Sequence, residues 1–163
     1  MNASINNLPR KLRVTSSGFT LIELMVTIAV LAVIVGIAAP NISTQLANQR
    51  VKSTAATLAN ALKEAKVESM IRRQNITVVY NDANTSKTIT LRSSNTNISP
   101  IASYNYSVRS TLLSEPATIT FEPSKRVTAA VTYTICDTNA AASPRQIVVN
   151  RVANISNTIG GTC

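Results

Sequence analysis

From Phe19 to Ala39 the chain runs for twenty-one residues with one charged side chain, Glu23. A helix rising about 1.5 Å per residue would make this a rod of roughly 30 Å, the depth of a bilayer's hydrocarbon core. A carboxylate in a membrane helix costs on the order of 2–3 kcal/mol. Glu23 therefore needs a compensating reason to be there.

The eighteen residues before the run are polar and basic, with Arg10, Lys11 and Arg13 and no acid. A conventional secretory signal is cut after its apolar stretch, next to small residues. Here the small residue, Gly18, comes first. A cut between Gly18 and Phe19 keeps the hydrophobic helix as the N-terminus of the mature protein; the alternative is an uncleaved signal-anchor. By the positive-inside rule the leader stays cytoplasmic and everything after Pro40 lies outside.

The order Ser17-Gly18-Phe19-Thr20-Leu21-Ile22-Glu23-Leu24 resembles the processing site of type IV prepilins and type II secretion pseudopilins. The resemblance implies an aspartic prepilin peptidase that cuts after Gly18 and N-methylates Phe19. It also implies a role for Glu23 in setting subunit register within a filament. A buried carboxylate seeks a cation, and the free amine of Phe19 on a neighbouring subunit is the natural one. Snorkelling of Glu23 to the headgroups is the simpler alternative. Gly36 and Pro40 mark a weak point, where a kink is expected.

After Pro40 the all-round apolar pattern becomes amphipathic. Val51, Ala55, Leu58, Leu62, Ala65 and Met70 recur at helical spacing, opposite Arg50, Lys52, Lys63, Glu64, Lys66 and Glu68. The spacing predicts a helix over 41–73 whose apolar stripe packs on a sheet. Past Gln74 the period falls to two, predicting strands over 76–80, 88–91, 104–108, 117–121, 127–135 and 146–149. No glycine occurs between Asn41 and Ile159, so turns needing positive φ are expected to use Asn or Asp.

Residues 58–73 are similar to the helix end of the GspH/FimT group of minor pilins and pseudopilins. That likeness implies an α+β, type IV pilin-like fold: a long N-terminal helix packed on an antiparallel β-sheet head. The organisation expected is a cleaved leader (1–18), a transmembrane and assembly helix (19–40) and a periplasmic head (41–163). The head divides into the amphipathic helix 41–73 and a β-rich part 74–163.

Cys136 and Cys163 are the chain's two cysteines. One disulfide is the simplest reading in an oxidising compartment, with two unpaired thiols as the alternative. The bridge resembles the C-terminal disulfide loop of many pilins.

The chain has no histidine, nor a P-loop, a dinucleotide glycine fingerprint or a metal-ligand cluster. An enzyme is not expected, and neither is a cofactor or metal. Glu115 and Glu122, each beside a proline, read as turn residues. Sixteen Lys and Arg against seven acids leave DNA as an alternative partner through Arg145, Arg151, Lys125 and Arg126. DNA-binding members of the group carry a Gly-Arg-x-Arg arrangement that is missing here, and aromatics do not interleave with the cations. The resemblance implies other partners: prepilin peptidase, minor and major pilins, an inner-membrane assembly platform and lipid. It places the subunit in the inner membrane before assembly and in an extracellular pilus, at or near the tip, afterwards.

Overall fold

A computed structural model describes residues 18–83, 85–94 and 100–163, without the side chains of 38–41. Leader residues 1–17 and the side chain of Pro40, the proline expected to kink the helix, lie outside that description. The chain forms two units, residues 1–39 and 40–163.

Helix α1 spans Leu21–Arg72 and so contributes to both. In the first unit its large apolar side chains, from Leu21 to Ile37, are all more than half exposed. Among the described residues no single helix is long and apolar enough to cross a membrane. Leu21–Ile37 and Ile42–Arg72 meet that criterion taken together.

In the second unit α1 is followed by β1 (Ile76–Asn81), β2 (Thr88–Ser93), β3 (Ala102–Asn105) and β4 (Ser110–Ser114). Then come β5 (Thr118–Phe121), β6 (Val131–Asp137), β7 (Arg145–Val149) and β8 (Ile155–Ile159). They make two four-stranded antiparallel sheets, ordered β3-β2-β1-β5 and β4-β6-β7-β8. Val51, Ala55, Leu58, Leu62 and Ala65 of the helical stripe are wholly buried, as expected. They share one core with Ile76, Ile89, Leu91 and Phe121 of the first sheet and Tyr133, Ile135 and Ile147 of the second. Met70 departs from the stripe and is half-buried beside exposed Val67.

The antiparallel β-sheet head expected is present, built as two sheets, and β4 and β8 lie outside the strands that the period of two marks. The strand expected over 104–108 ends at Asn105; the Tyr106 N–H still donates to the Lys87 carbonyl at 3.1 Å, in register with the β2–β3 ladder, and the Ser110 N–H then closes a turn on the Ser107 carbonyl. The strand expected from Val127 begins at Val131, and Val127 forms an isolated bridge to Phe121.

The expectation for positive φ fails. Among the described residues the non-glycine positions are Arg73, Lys125 and Ala153, with φ of 54°, 61° and 52°. Arg73 follows the last helical residue, and the Gln74 N–H reaches back to the Ser69 carbonyl at 3.3 Å, closing a Schellman cap. Lys125 and Ala153 occupy matching places in two hairpin turns. There the Lys125 N–H donates to the Glu122 carbonyl and the Ala153 N–H to the Asn150 carbonyl. Asparagine acts through its side chain instead. Asn150 Oδ1 accepts from the Val152 and Asn154 N–H groups, and Asn81 and Asn139 accept from the residue two further on. These are Asx turns, which need no left-handed backbone at the asparagine.

Polar residues on α1 tie it to the sheets. Lys66 Nζ donates to the Ala153 carbonyl at 2.8 Å, holding one hairpin turn to the last turns of the helix, while Ser69 Oγ donates to the Lys66 carbonyl at 2.8 Å and lies 3.3 Å from the Glu122 carbonyl of the other turn. The Tyr104 hydroxyl donates to Glu64. Lys87, almost fully buried, places Nζ 2.8 Å from both Asp82 Oδ1 and the Ser110 carbonyl.

Arg50 and Asp137 form a forked ion pair, Nε–Oδ2 2.9 Å and Nη2–Oδ1 3.0 Å, joining α1 to the end of β6. The Asp137 side chain is completely enclosed, and Oδ1 also accepts the Asn139 N–H. The guanidinium holds the Asp137 carboxyl below its ordinary range, helped by that backbone bond and against the opposing effect of burial. A lowered folded pKa stabilises the fold fully above the unfolded value of about 3.9 and is lost as pH falls through the folded value. Stability measured in urea should therefore decline below about pH 4. Arg50→Gln should make that acid limb shallower, while a limb of unchanged slope would remove the pair from the explanation.

Tyr133 is wholly buried with its ring edge-on to Tyr80, centroids 6.3 Å apart. Among the described residues its hydroxyl has no hydrogen-bond partner. An unsatisfied buried hydroxyl costs about 1–3 kcal/mol, so Tyr133→Phe should raise the melting temperature by a few degrees. A lower melting temperature would show that the hydroxyl stabilises the core.

Candidate functional site

The N-terminal unit begins with Gly18, Phe19 and Thr20 ahead of the first helical residue, Leu21. Thr20 caps the helix: its Oγ1 accepts the Glu23 N–H at 3.2 Å, and its carbonyl accepts the Leu24 N–H at 3.2 Å. This is one half of a capping box, in which Thr and a Glu three residues on each satisfy a helix-end donor. Here the return bond from the Glu23 side chain is not made. The Glu23 carboxylate is exposed and without a partner among the described residues.

The local sequence explains this arrangement. Threonine stops the helix from extending backward, so Phe19 stands outside the first turn, 82% exposed. Glu23 falls in the turn where the positive end of the helix dipole favours an anion. A backbone amine at Phe19 would lie close to the same helix end. A Cβ at Gly18 or at Gly36 would meet nothing within 4 Å. Packing among the described residues gives neither glycine a reason.

The second unit holds the disulfide. Cys136 on β6 is bonded to Cys163, with Cα atoms 5.9 Å apart. Gly161 lets the tail reach it. Its φ is +107°, and a Cβ there would sit 2.8 Å from Thr134 Cγ2 and 3.0 Å from Gln146 Cγ. The tail therefore lies directly against β6 and β7, where only glycine fits.

The four cations considered for DNA separate into two places. Lys125 and Arg126 lie in one of the hairpin turns and Arg151 in the other. Arg126 and Arg151 line one recess with Glu122, Val127 and Thr128. Arg145 lies apart, in a groove with Gln45, Asn48, Gln49, Lys52, Ser143 and Ile159. Of the carboxylates, Glu122 accepts from Ser124 within its own turn, and Glu115 is exposed before Pro116.

Residues 13–39 match the prokaryotic N-terminal methylation motif, and residues 54–153 match the family described as type II transport protein GspH. No relative was found among curated proteins. Two crystal structures of the Pseudomonas aeruginosa type IV minor pilin FimU share the fold. One has 17% identity and a TM-score of 0.58, covering 69% of this chain and 98% of that one. The other has 16% identity and a TM-score of 0.60, covering 71% and 96%. The minor pseudopilin EpsH of the Vibrio cholerae type 2 secretion system is similar at 14% identity and a TM-score of 0.52, covering 69% and 99%.

Proposed function

This chain belongs to the GspH family of type II transport proteins, with a type IV pilin-like fold, and from that premise we propose that it is a minor type IV pilin. Prepilin peptidase removes residues 1–18 and methylates Phe19. The apolar helix 19–40 holds the subunit in the inner membrane with residues 41–163 in the periplasm, and then carries it into the filament. There the subunit joins other minor pilins in a small complex that primes assembly and sits at or near the tip, next to the major pilin.

The observation that carries this reading is the unpartnered Glu23 carboxylate one turn from an exposed Phe19, at the head of a helix whose large apolar side chains from Leu21 to Ile37 are all exposed. Apolar area costs about 25 cal/mol per Å² in water, so this unit calls for lipid or neighbouring helices around it. Glycine at position 18, which packing among the described residues does not require, suits a peptidase cleft. The mature protein should begin at an N-methylated Phe19, read by intact mass and N-terminal fragmentation. A protein still beginning at Met1 would sink the reading.

The family's description favours a second reading, the minor pseudopilin of a type II secretion system. The two differ in which machine's deletion leaves the subunit stranded in the membrane.

A further inference from the structure

Strand β8 is the outer strand of the second sheet, and one of its edges is bare. The ladder to β7 is bracketed by Gly160 N–H to the Pro144 carbonyl and Asn150 N–H to the Asn154 carbonyl, at 3.0 and 3.1 Å. With Arg145 opposite Ile159 and Val149 opposite Ile155, the even-numbered residues bond to β7. The N–H and C=O groups of Ile155, Asn157 and Ile159 point away from it and have no partner among the described residues. Soluble proteins usually protect such an edge with charge, proline or a bulge. Ile155-Ser156-Asn157-Thr158-Ile159 has no charge and no proline, and Ile159 is 72% exposed.

The edge runs beside one face of α1. Ile159 shares a groove with Gln45, Gln49 and Lys52, and Ile155 shares another with Lys63, Val67 and Met70. These helix positions are spaced by three or four, with exposed Ala56 and Asn60 between them, so they form one continuous stripe. Near its centre is the small side chain of Ala56, and the cations Lys52 and Lys63 flank the middle of the stripe, with Arg145 beside the first.

We propose that this channel takes an extended strand from another protein, added to the edge of β8. The open backbone groups dictate a strand as occupant, as in other β-augmentation complexes. The flanking lysines call for carboxylates on its helix-facing side. A second copy of this chain is a poor occupant: it is strongly basic, with a net charge of +9, and its own bare edge has no acid. This inference names a partner surface for the proposed filament subunit, but it concerns residues 40–163 and does not depend on processing at Gly18.

The test uses the full chain in detergent and a short peptide alternating valine with glutamate, set against its valine–lysine counterpart. The acidic peptide should slow hydrogen exchange at the Ile155, Asn157 and Ile159 amides and leave Ser156 and Thr158 unchanged. Asn157→Pro deletes one outward donor at an edge position where proline is tolerated. It should keep the melting temperature and lower peptide affinity at least tenfold. Lys52→Glu with Lys63→Glu should reverse the preference toward the lysine peptide. Three results would overturn the proposal: equal protection by both peptides, binding unaffected by Asn157→Pro, or protection of these amides by concentration-dependent self-association without peptide. Normal leader removal in a protein that fails this test would discard the docking surface and leave the filament reading standing.

Discussion

Glu23→Ala is expected to leave the leader cleaved and the melting temperature of residues 40–163 unchanged, while incorporation into filaments falls by at least about 100-fold. The size follows from what the carboxylate does in the proposed assembly. Removing one member of a buried ion pair costs about 3–5 kcal/mol, because the remaining charge is left unpaired in a low-dielectric setting. Here the stranded charge is the Phe19 amine of a neighbouring subunit. Thr20 already satisfies the Glu23 N–H through its own hydroxyl, so alanine leaves that helix-cap bond in place. The chain's exposed stem side chains are otherwise untouched. Glu23→Gln separates charge from shape: it keeps length and polarity and should fail nearly as badly as alanine. If Glu23 only snorkels to the headgroups, the outcome reverses. Alanine would then ease membrane insertion by about 2–3 kcal/mol, with incorporation at or above normal. Immunoblots of sheared filaments beside the membrane fraction distinguish the two.

The stem and the helix stripe were legible because their signals are long. Twenty-one residues with one charge and a stripe from Val51 to Ala65 leave little room for another element. The partners on the opposite face were not legible. Arg50, Glu64 and Lys66 have the composition of a solvated face, yet they hold Asp137, Tyr104 and the Ala153 carbonyl. Periodicity separates apolar from polar positions, but it cannot tell a polar group in water from one paired across 87 residues of chain. Strands β4 and β8 were missed for a related reason. Ser-Thr-Leu-Leu-Ser and Ile-Ser-Asn-Thr-Ile are short and diluted with polar residues, and β8 is nearly all exposed, so it lacks the alternation that marks a half-buried strand. The turns are not legible, because residue type shows which side chains tolerate left-handed backbone best and not where the chain requires it. The hairpins at Glu122 and Asn150 impose that conformation by position, and Lys125 and Ala153 happen to stand there. At the N-terminal site the residue order around Gly18 and Glu23 carried the resemblance. The cap by Thr20 and the unpartnered Glu23 carboxylate are features of the folded backbone that residue order does not carry.

Replacing both cysteines, Cys136→Ser with Cys163→Ser, should lower stability by about 3.5 kcal/mol, the loop-entropy value for a separation of 27 residues. The loss should be uneven. The bridge ties the end of the chain to β6, and the closed loop contains β7 and β8. β7 is held from both sides by ladders to β6 and β8, with Ile147 and Val149 wholly buried. β8 has only β7, and four of its five residues are exposed. Without the bridge, Gly160 and Gly161 regain backbone freedom, the largest of any residue type, and β8 should fray from that end. Hydrogen exchange in the double variant should therefore quicken at Ser156 and Thr158, the amides bonded to β7, before it changes in β6. Urea unfolding should show the lower midpoint. A loss below about 1 kcal/mol, small against the loop-entropy expectation, with β8 exchange unchanged, would mean that Gly161 packing against Thr134 and Gln146 holds the tail without the bridge. Gly161→Ala with the cysteines intact provides the complementary comparison. Its side chain must displace Thr134 or Gln146 at a φ of +107° that alanine disfavours. It should loosen the same strand while the covalent link persists, so the two variants divide the anchoring of β8 between the bond and the close approach that lets it form.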